Sequence, residues 1–569
     1  MRSRIQRFCH YGAYPVACCA AVLLCVTIAN PFVCAGFVDD WSYSHLALRF
    51  AETGHIKYEG WGSPTLLFQG LWGAAWIHLV GFSFNLMRVI SIPFALGFVL
   101  LIYATGRKVG LRRDLAFLGA LIVGTAPLFL PLAASFMTES YGCFFCALCI
   151  YAAISSAEAQ SDSMALFWLW ILGASGIMGG SDRQVVWIAP LSLIPYLCWL
   201  RRLNRRFCMH AIALYVLCVA GLAFLSTRFA PPYAPFALRR DQIWTLVIHD
   251  APLASAILLG LFLTTLLISL PAFLCFSLYW KALGSTRLFI ASLVSVAVVA
   301  LLIAGVGQLG VVPFSIGILS HFGILPKGTD ALGFKPVVLH PALRIFISAL
   351  VPFSAITCGL LEWKSASFLP TARAVFAIFS FFYVALLLPG AFLFISFDRY
   401  VLPLVPCLVL LVLHRFQRHA SRVPAIAWIC VSVFAMYAVL ITHDYASSSR
   451  ARVQAAQVLQ KQGVRRSHVS AGFEYDGWTQ LEEAGSVRGS TYHDAFEWNN
   501  TDRFWFWHHA TALRPDYVVS ISLGPASDDL LSVPFTSWFP PFRRFAIVQR
   551  RQDLPKGPVC NTLLPCYLP

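Results

Sequence analysis

The stretch Phe37-Val38-Asp39-Asp40-Trp41-Ser42-Tyr43 sets two adjacent carboxylates directly behind the first long apolar run of the chain, residues 14–36. That run exceeds the apolar core of a signal peptide and is long enough to cross a bilayer, so it reads as a retained first span. Acids at the edge of a membrane are costly to place, and their presence there marks a site. Hydrophobic residues make up 58% of the chain, charged residues only 12%, and the mean hydropathy is +0.71. These values exclude a soluble globular protein and place the chain in the polytopic membrane class.

Working outward, about thirteen apolar runs approach the roughly 20 residues that a span requires: 14–36, 84–105, 115–133, 141–157, 164–180, 185–200, 209–226, 253–278, 288–309, 342–361, 374–397, 401–413 and 423–442. Basic residues cluster in alternate loops, at Arg107-Lys108 with Arg112-Arg113, Arg201-Arg202 with Arg205-Arg206, Lys281 with Arg287, Lys364 with Arg373, and Arg415 with Arg418 and Arg422. This bias puts the N-terminus in the cytoplasm and, by the odd count, the C-terminus outside. The same clustering accounts for the net charge of +16 without nucleic acid, because no continuous basic stripe forms. The segment 63–81, with Gln69, Trp72, Trp76 and His78, suits a helix lying in the interface; counted as a span it would invert every later loop. The expected fold is an all-α polytopic bundle over 1–442 with a small α/β extracytoplasmic domain over 443–569. In that tail a helical pattern at 450–462 precedes extended runs at 468–473, 516–521 and 545–548. Most of the 17 cysteines lie in apolar runs as small hydrophobes, so no disulfide framework is expected; Cys560 and Cys566 are the pair able to bridge.

The outer loops hold the candidate chemistry. Asp39 and Asp40 offer a general base, or two hard oxygen ligands for Mg²⁺ or Mn²⁺. Neighbouring residues on a helix diverge, so only one of the two can be the base. The pair would equally suit the acid-rich first turn of a loop helix. Glu139 lies between the third and fourth spans, on the same side as Asp39, and Asp182-Arg183 falls there too, where the two could simply pair with each other. Asp398-Arg399-Tyr400 interrupts apolar sequence and is followed by Val401-Leu402-Pro403-Leu404-Val405-Pro406, which holds a charged pair at the mouth of the bundle. The sequence has no P-loop, no dinucleotide fingerprint and no His-Glu-x-x-His helix. No internal repeat is visible, which speaks against a transporter of inverted halves.

An acidic pair after the first span, a second acid in the next outer loop, a late Arg-Tyr followed by Leu-Pro-Leu-Val-Pro, and a terminal outer domain together resemble the GT-C superfamily of membrane glycosyltransferases, in particular its bacterial branch of protein O-mannosyltransferase and aminoarabinose transferase relatives. The resemblance implies an inner-membrane enzyme with a periplasmic site and a polyprenyl-phosphate sugar donor. The acceptor would be a hydroxyl of a lipid, glycan or protein. It implies Asp39 as base or metal-associated residue with Asp40 beside it, Glu139 as the second acid, and Arg399 as the arginine of the late motif. The family often has Asp-Glu where this chain has Asp-Asp. For such chemistry Lys57, Arg239, Arg240, Lys327, Lys335, Arg399 and Tyr400 are candidates for gripping the donor, since guanidinium forks match phosphate oxygens. Two alternatives stay open: a ligase or polymerase using a pyrophosphate-linked oligosaccharide, and a transporter or flippase.

Overall fold

A computed structural model describes residues 2–62, 65–228, 251–306, 317–362, 370–392, 396–487, 505–508 and 510–553. Arg239, Arg240, Cys560 and Cys566 lie outside them. Helices form where the apolar runs are. Among the described residues, 8 helices are long and apolar enough to cross a membrane, from Phe84–Lys108 to Ala425–Lys461, and shorter apolar helices such as Ala13–Ala29, Gln184–Leu200 and Val405–Phe416 accompany them. The protein is a multi-pass, mostly helical membrane protein with a small sheet at its C-terminal end.

The first part of the chain builds the site. Helix α1 (Arg2–Ala29) is followed by an irregular link and then by α2 (Asp40–Thr53), which stops at Gly54 in the left-handed region with φ 69°. Helix α3 (Leu67–Val80) spans only about 21 Å at 1.5 Å per residue, short of a hydrocarbon core of about 30 Å. It packs against α2. Helix α4 (Phe84–Lys108) is capped by Ser83, whose hydroxyl accepts from Leu86 N at 3.0 Å. The apolar run 115–133 is not one helix. It breaks into α5 (Arg113–Gly124) and α6 (Phe129–Ala133). Pro127 explains the break, because it offers no amide hydrogen and disfavours helical geometry at the residue before it. Helix α7 (Thr138–Glu158) and α8 (Asp162–Asp182) then pair along their lengths, and a short turn (Gln184–Trp187) leads into α9 (Ile188–Leu200).

The division expected between residues 442 and 443 falls inside a single helix, Ala425–Lys461, which runs on from the bundle into the tail. On its last turns Ala451, Ala455 and Leu459, spaced four apart, make one apolar face. After a two-stranded ladder of β1 (Leu319–Ser320) and β2 (Gly323–Ile324) come the strands of a five-stranded sheet on which this face packs: β3 (Leu332–Gly333), β4 (Val469–Ser470), β5 (Tyr517–Ser522), β6 (Leu531–Thr536) and β7 (Arg543–Arg550). The order is β3-β5-β7-β6, with β4 also on β5; β3 and β4 run parallel to β5, while β7 is antiparallel to both β5 and β6. Strand β6 carries Pro534, which an edge strand tolerates because one side of its backbone needs no partner. Strand β3 comes from the loop before the Pro341–Glu362 helix, so the sheet is shared between that loop and the tail.

Buried polar groups tie these parts together. Arg452, 1% exposed, donates through Nη1 to the carbonyls of Asp330 at 3.0 Å and Ala471 at 2.8 Å and stands 3.6 Å from Glu474. Glu474 also accepts from the Tyr445 hydroxyl. Burial pushes the Glu474 carboxyl up to about 7, against the pull of the Arg452 charge. Glu474 belongs to a second tail helix, the cap helix Phe473–Ala484, which lies over α2.

Candidate active site

The site begins with a strained residue. Val38 is buried and has φ 53°, a conformation that a β-branched side chain adopts only under constraint from its surroundings. The constraint is visible on both sides. Arg88 donates to the carbonyls of Val33 at 2.6 Å and Ala35 at 2.5 Å, and Asp40 accepts from Phe37 N at 2.5 Å and Phe136 N at 3.1 Å. With the link fixed upstream and Asp40 fixed downstream, Asp39 faces away from both.

Asp39 occupies the N-cap position of α2, yet its carboxylate makes no capping bond. One oxygen instead accepts from Trp61 Nε1 at 3.0 Å and the other from Arg399 Nη2 at 3.3 Å. Its side chain keeps 18% exposure, against 2% for Glu139 and 10% for Arg399. Asp39 is therefore the acid of this group that a second molecule can reach.

Asp40 is 1% exposed, and both of its oxygens are engaged by backbone amides. Burial pushes its carboxyl up to about 6, opposed by the Arg88 guanidinium and the two amides. The native state thus keeps a proton between about pH 4 and 6 that the unfolded chain has released, and this contribution to stability declines as pH rises through that window. Asp40→Asn must turn an amide group towards one of the two N–H donors. The expected result is a loss of about 1–3 kcal/mol, read as a lower Tm, with the largest deficit below pH 5. Scanning calorimetry of both proteins from pH 4 to 8 checks it.

Beyond Arg399 the charges alternate. Arg399 Nε lies 3.0 Å from Glu139 Oε1, and the same oxygen is 2.6 Å from Arg183 Nη1. Arg183 Nη1 also donates to the Thr138 hydroxyl at 3.1 Å. Asp39, Arg399, Glu139 and Arg183 form a chain of four charges drawn from four separate segments. The neighbouring acids raise the Arg399 pKa despite burial, so the guanidinium stays charged. The Tyr400 ring lies 4.9 Å from the Arg183 guanidinium and 5.9 Å from that of Arg399. Tyr43, one turn along α2 from Asp39, is buried beside the same charges, and burial together with the Asp39 charge keeps its phenol protonated.

The remaining candidates are placed elsewhere. Asp182 and Arg183 do not pair as their adjacency suggests: Asp182 accepts from Gln69 N at 3.2 Å while Arg183 reaches Glu139. Asp398 does not hold the Arg399 guanidinium. It accepts from the amides of Ile318 at 2.9 Å, Leu319 at 2.7 Å and Arg399 at 2.7 Å, which pins the chain at 318–319 to the turn Asp398–Val401. Gly317 is required there, since a Cβ would meet Asp398 Oδ1 at 1.9 Å. Lys335 is bonded to Asp330 and the Ile324 carbonyl, both at 2.8 Å, and Lys57 and Lys327 are exposed. Sequence reasoning did not single out Trp61 or Tyr43. Trp61 lies 22 residues from Asp39, a separation that carries no signal by itself.

A shared ion on Asp39 and Asp40 does not fit this arrangement, because the Asp40 oxygens are committed to amides. Among the described residues no three His, Cys, Asp or Glu side chains are grouped to hold a metal.

No family model and no curated protein matches the chain. Solved structures do. The S. cerevisiae protein O-mannosyltransferase Pmt1-Pmt2 complex bound to the sugar donor is 16% identical at a TM-score of 0.32, over 38% of this chain and 33% of that one. ArnT from Cupriavidus metallidurans bound to undecaprenyl phosphate is 13% identical at 0.37, over 95% and 98%. The Archaeoglobus fulgidus oligosaccharyltransferase in complex with Zn and sulfate is 12% identical at 0.36, over 88% and 67%. At such scores these likenesses carry no functional weight, which rests on the side chains described above.

Proposed function

We propose that the protein is an inverting glycosyltransferase that moves a sugar from a polyprenyl phosphate to an acceptor hydroxyl at the outer, periplasmic face of the inner membrane. The observation that carries this reading is the position of Asp39: an N-cap acid that leaves its helix uncapped and turns, still accessible, to a guanidinium. In the reaction the Asp39 carboxylate takes the proton of the acceptor hydroxyl. The acceptor oxygen attacks C1 of the sugar as the C1–O bond to phosphate breaks, and the electron pair leaves with the polyprenyl phosphate. Negative charge grows on the phosphate, and Arg399 is the group to meet it, because among the described residues its Nη1 donates to none. Glu139 lies behind the two arginines and fixes them rather than touching substrate. Lys57, Arg239 and Arg240 belong in this reading as contacts for the donor headgroup, and Tyr400 as the ring that supports Arg183.

Two arginines, each already balanced by an acid, suit a monophosphate better than the more highly charged pyrophosphate of an oligosaccharide ligase. The test is transfer of radiolabelled sugar from lipid phosphate by the purified protein, with mass spectrometry of the lipid-linked sugars of a deletion strain to identify the donor. Accumulation of one polyprenyl-phosphate sugar, and its consumption by the purified protein, are expected. No accumulation and no transfer from any such lipid would overturn the reading.

A further inference from the structure

Among the described residues Trp61 is the one neutral group bonded to the Asp39 carboxylate, and much of its surroundings comes from the far end of the chain. Its ring lies 5.8 Å from that of Trp41, 5.5 Å from Phe473 and 5.4 Å from Phe506. Phe473 opens the cap helix, and Phe506 belongs to the tail segment after it. These two rings also meet each other at 5.0 Å, and each meets Trp41 at 5.7 Å and 6.0 Å respectively. Trp41 is wholly buried in this nest, two residues from Asp39.

The cap helix is seated at several points. Gly477 lies so close to Trp41 that an added Cβ would meet its ring at 2.6 Å. Trp478 stacks on Phe82 at 5.1 Å and receives the edge of His45 at 5.3 Å. Past the end of the helix, Val487 N donates to the Glu59 carbonyl at 2.7 Å, two residues before Trp61. The tail thus holds both the ring beside Asp39 and the loop that carries this ring.

From this we infer that the C-terminal domain is part of the catalytic machinery: through its cap helix it clamps Trp61, and Trp61 is a positioning residue whose indole N–H fixes the Asp39 carboxylate for proton transfer. The inference rests on the reading of Asp39 as the base. A carboxylate held only by Arg399 would be free to turn about its last bond. The indole bond removes that freedom and holds the oxygens where an acceptor hydroxyl must approach. Since Trp61 touches the base and not the donor phosphate, its loss should act on turnover and leave donor binding alone.

Trp61→Phe keeps a smaller ring against Phe473 and Phe506 and removes the indole N–H together with the five-membered ring that carries it. The expected result is a fall of about tenfold in kcat, with donor affinity and the moles of donor bound per mole of protein unchanged. Gly477→Ala, at a position in the tail far along the chain from Asp39, should lower kcat in the same sense by lifting the cap helix. Donor stoichiometry, measured by equilibrium binding of the labelled lipid, separates this from a loss of folded protein. Wild-type kcat in Trp61→Phe, with Asp39→Asn inactive, would overturn the positioning role and leave the base assignment intact. Full activity in Asp39→Asn would instead remove the base assignment itself. A fall in donor stoichiometry equal to the fall in kcat would show Trp61 to be structural and would also overturn the inference.

Discussion

Asp39→Asn is expected to lower transfer by about a hundred- to ten-thousandfold while the purified protein still binds donor lipid and melts within a few degrees of the parent. General bases contribute about 10²–10⁴ to rate, and a carboxamide cannot take the proton. Folding should hardly change, because Asp39 does not cap α2, and its bonds run to an indole and to a guanidinium that Glu139 also holds. The comparison that decides is with Asp40→Asn, one residue along. Asp40 is committed to two buried amides, so its variant should lose stability first and activity second. If instead Asp39→Asn melts early and keeps its turnover at low temperature, Asp39 is a structural ion-pair partner and the transferase reading fails.

The second large effect is expected at Arg399. Its Nε faces Glu139 and its Nη2 faces Asp39, a fork that a lysine cannot reproduce from a single nitrogen. Arg399→Lys keeps the charge and loses the geometry. A roughly hundredfold fall in kcat is expected, together with donor affinity weakened about tenfold. Single-turnover rates and equilibrium binding of the labelled donor measure the two separately. Unchanged donor affinity would place the phosphate elsewhere.

The bundle was legible because hydropathy is a one-dimensional property: each apolar run is its own evidence, and the helices lie where the runs are. Pro127 shows how far such evidence reaches. The run 115–133 is continuous in hydropathy, but backbone geometry at one residue divides it. The tail was legible in its strands at 469–470, 517–522 and 543–550, whereas β6 was obscured by Pro534. The candidate site was legible only as a set of acids and arginines expected to face the same side. Which arginine meets which acid is decided by packing between distant segments. Arg183 next to Asp182 reads as a local pair, yet α8 ends in a way that delivers the guanidinium to α7. Trp61 gave no signal because its partner is a carboxylate 22 residues away, and its ring contacts with Phe473 and Phe506 come from more than 400 positions away.

The unbroken helix Ala425–Lys461 has a mechanical corollary. At about 1.5 Å and 100° per residue, it fixes both the height of the sheet above the helical bundle and its compass bearing around the strut. The sheet domain therefore cannot swivel independently of the helix beneath it. One residue inserted in this strut would turn the sheet by about 100° and lift it by about 1.5 Å, and a whole added turn would restore the bearing but lift the sheet by about 5.4 Å.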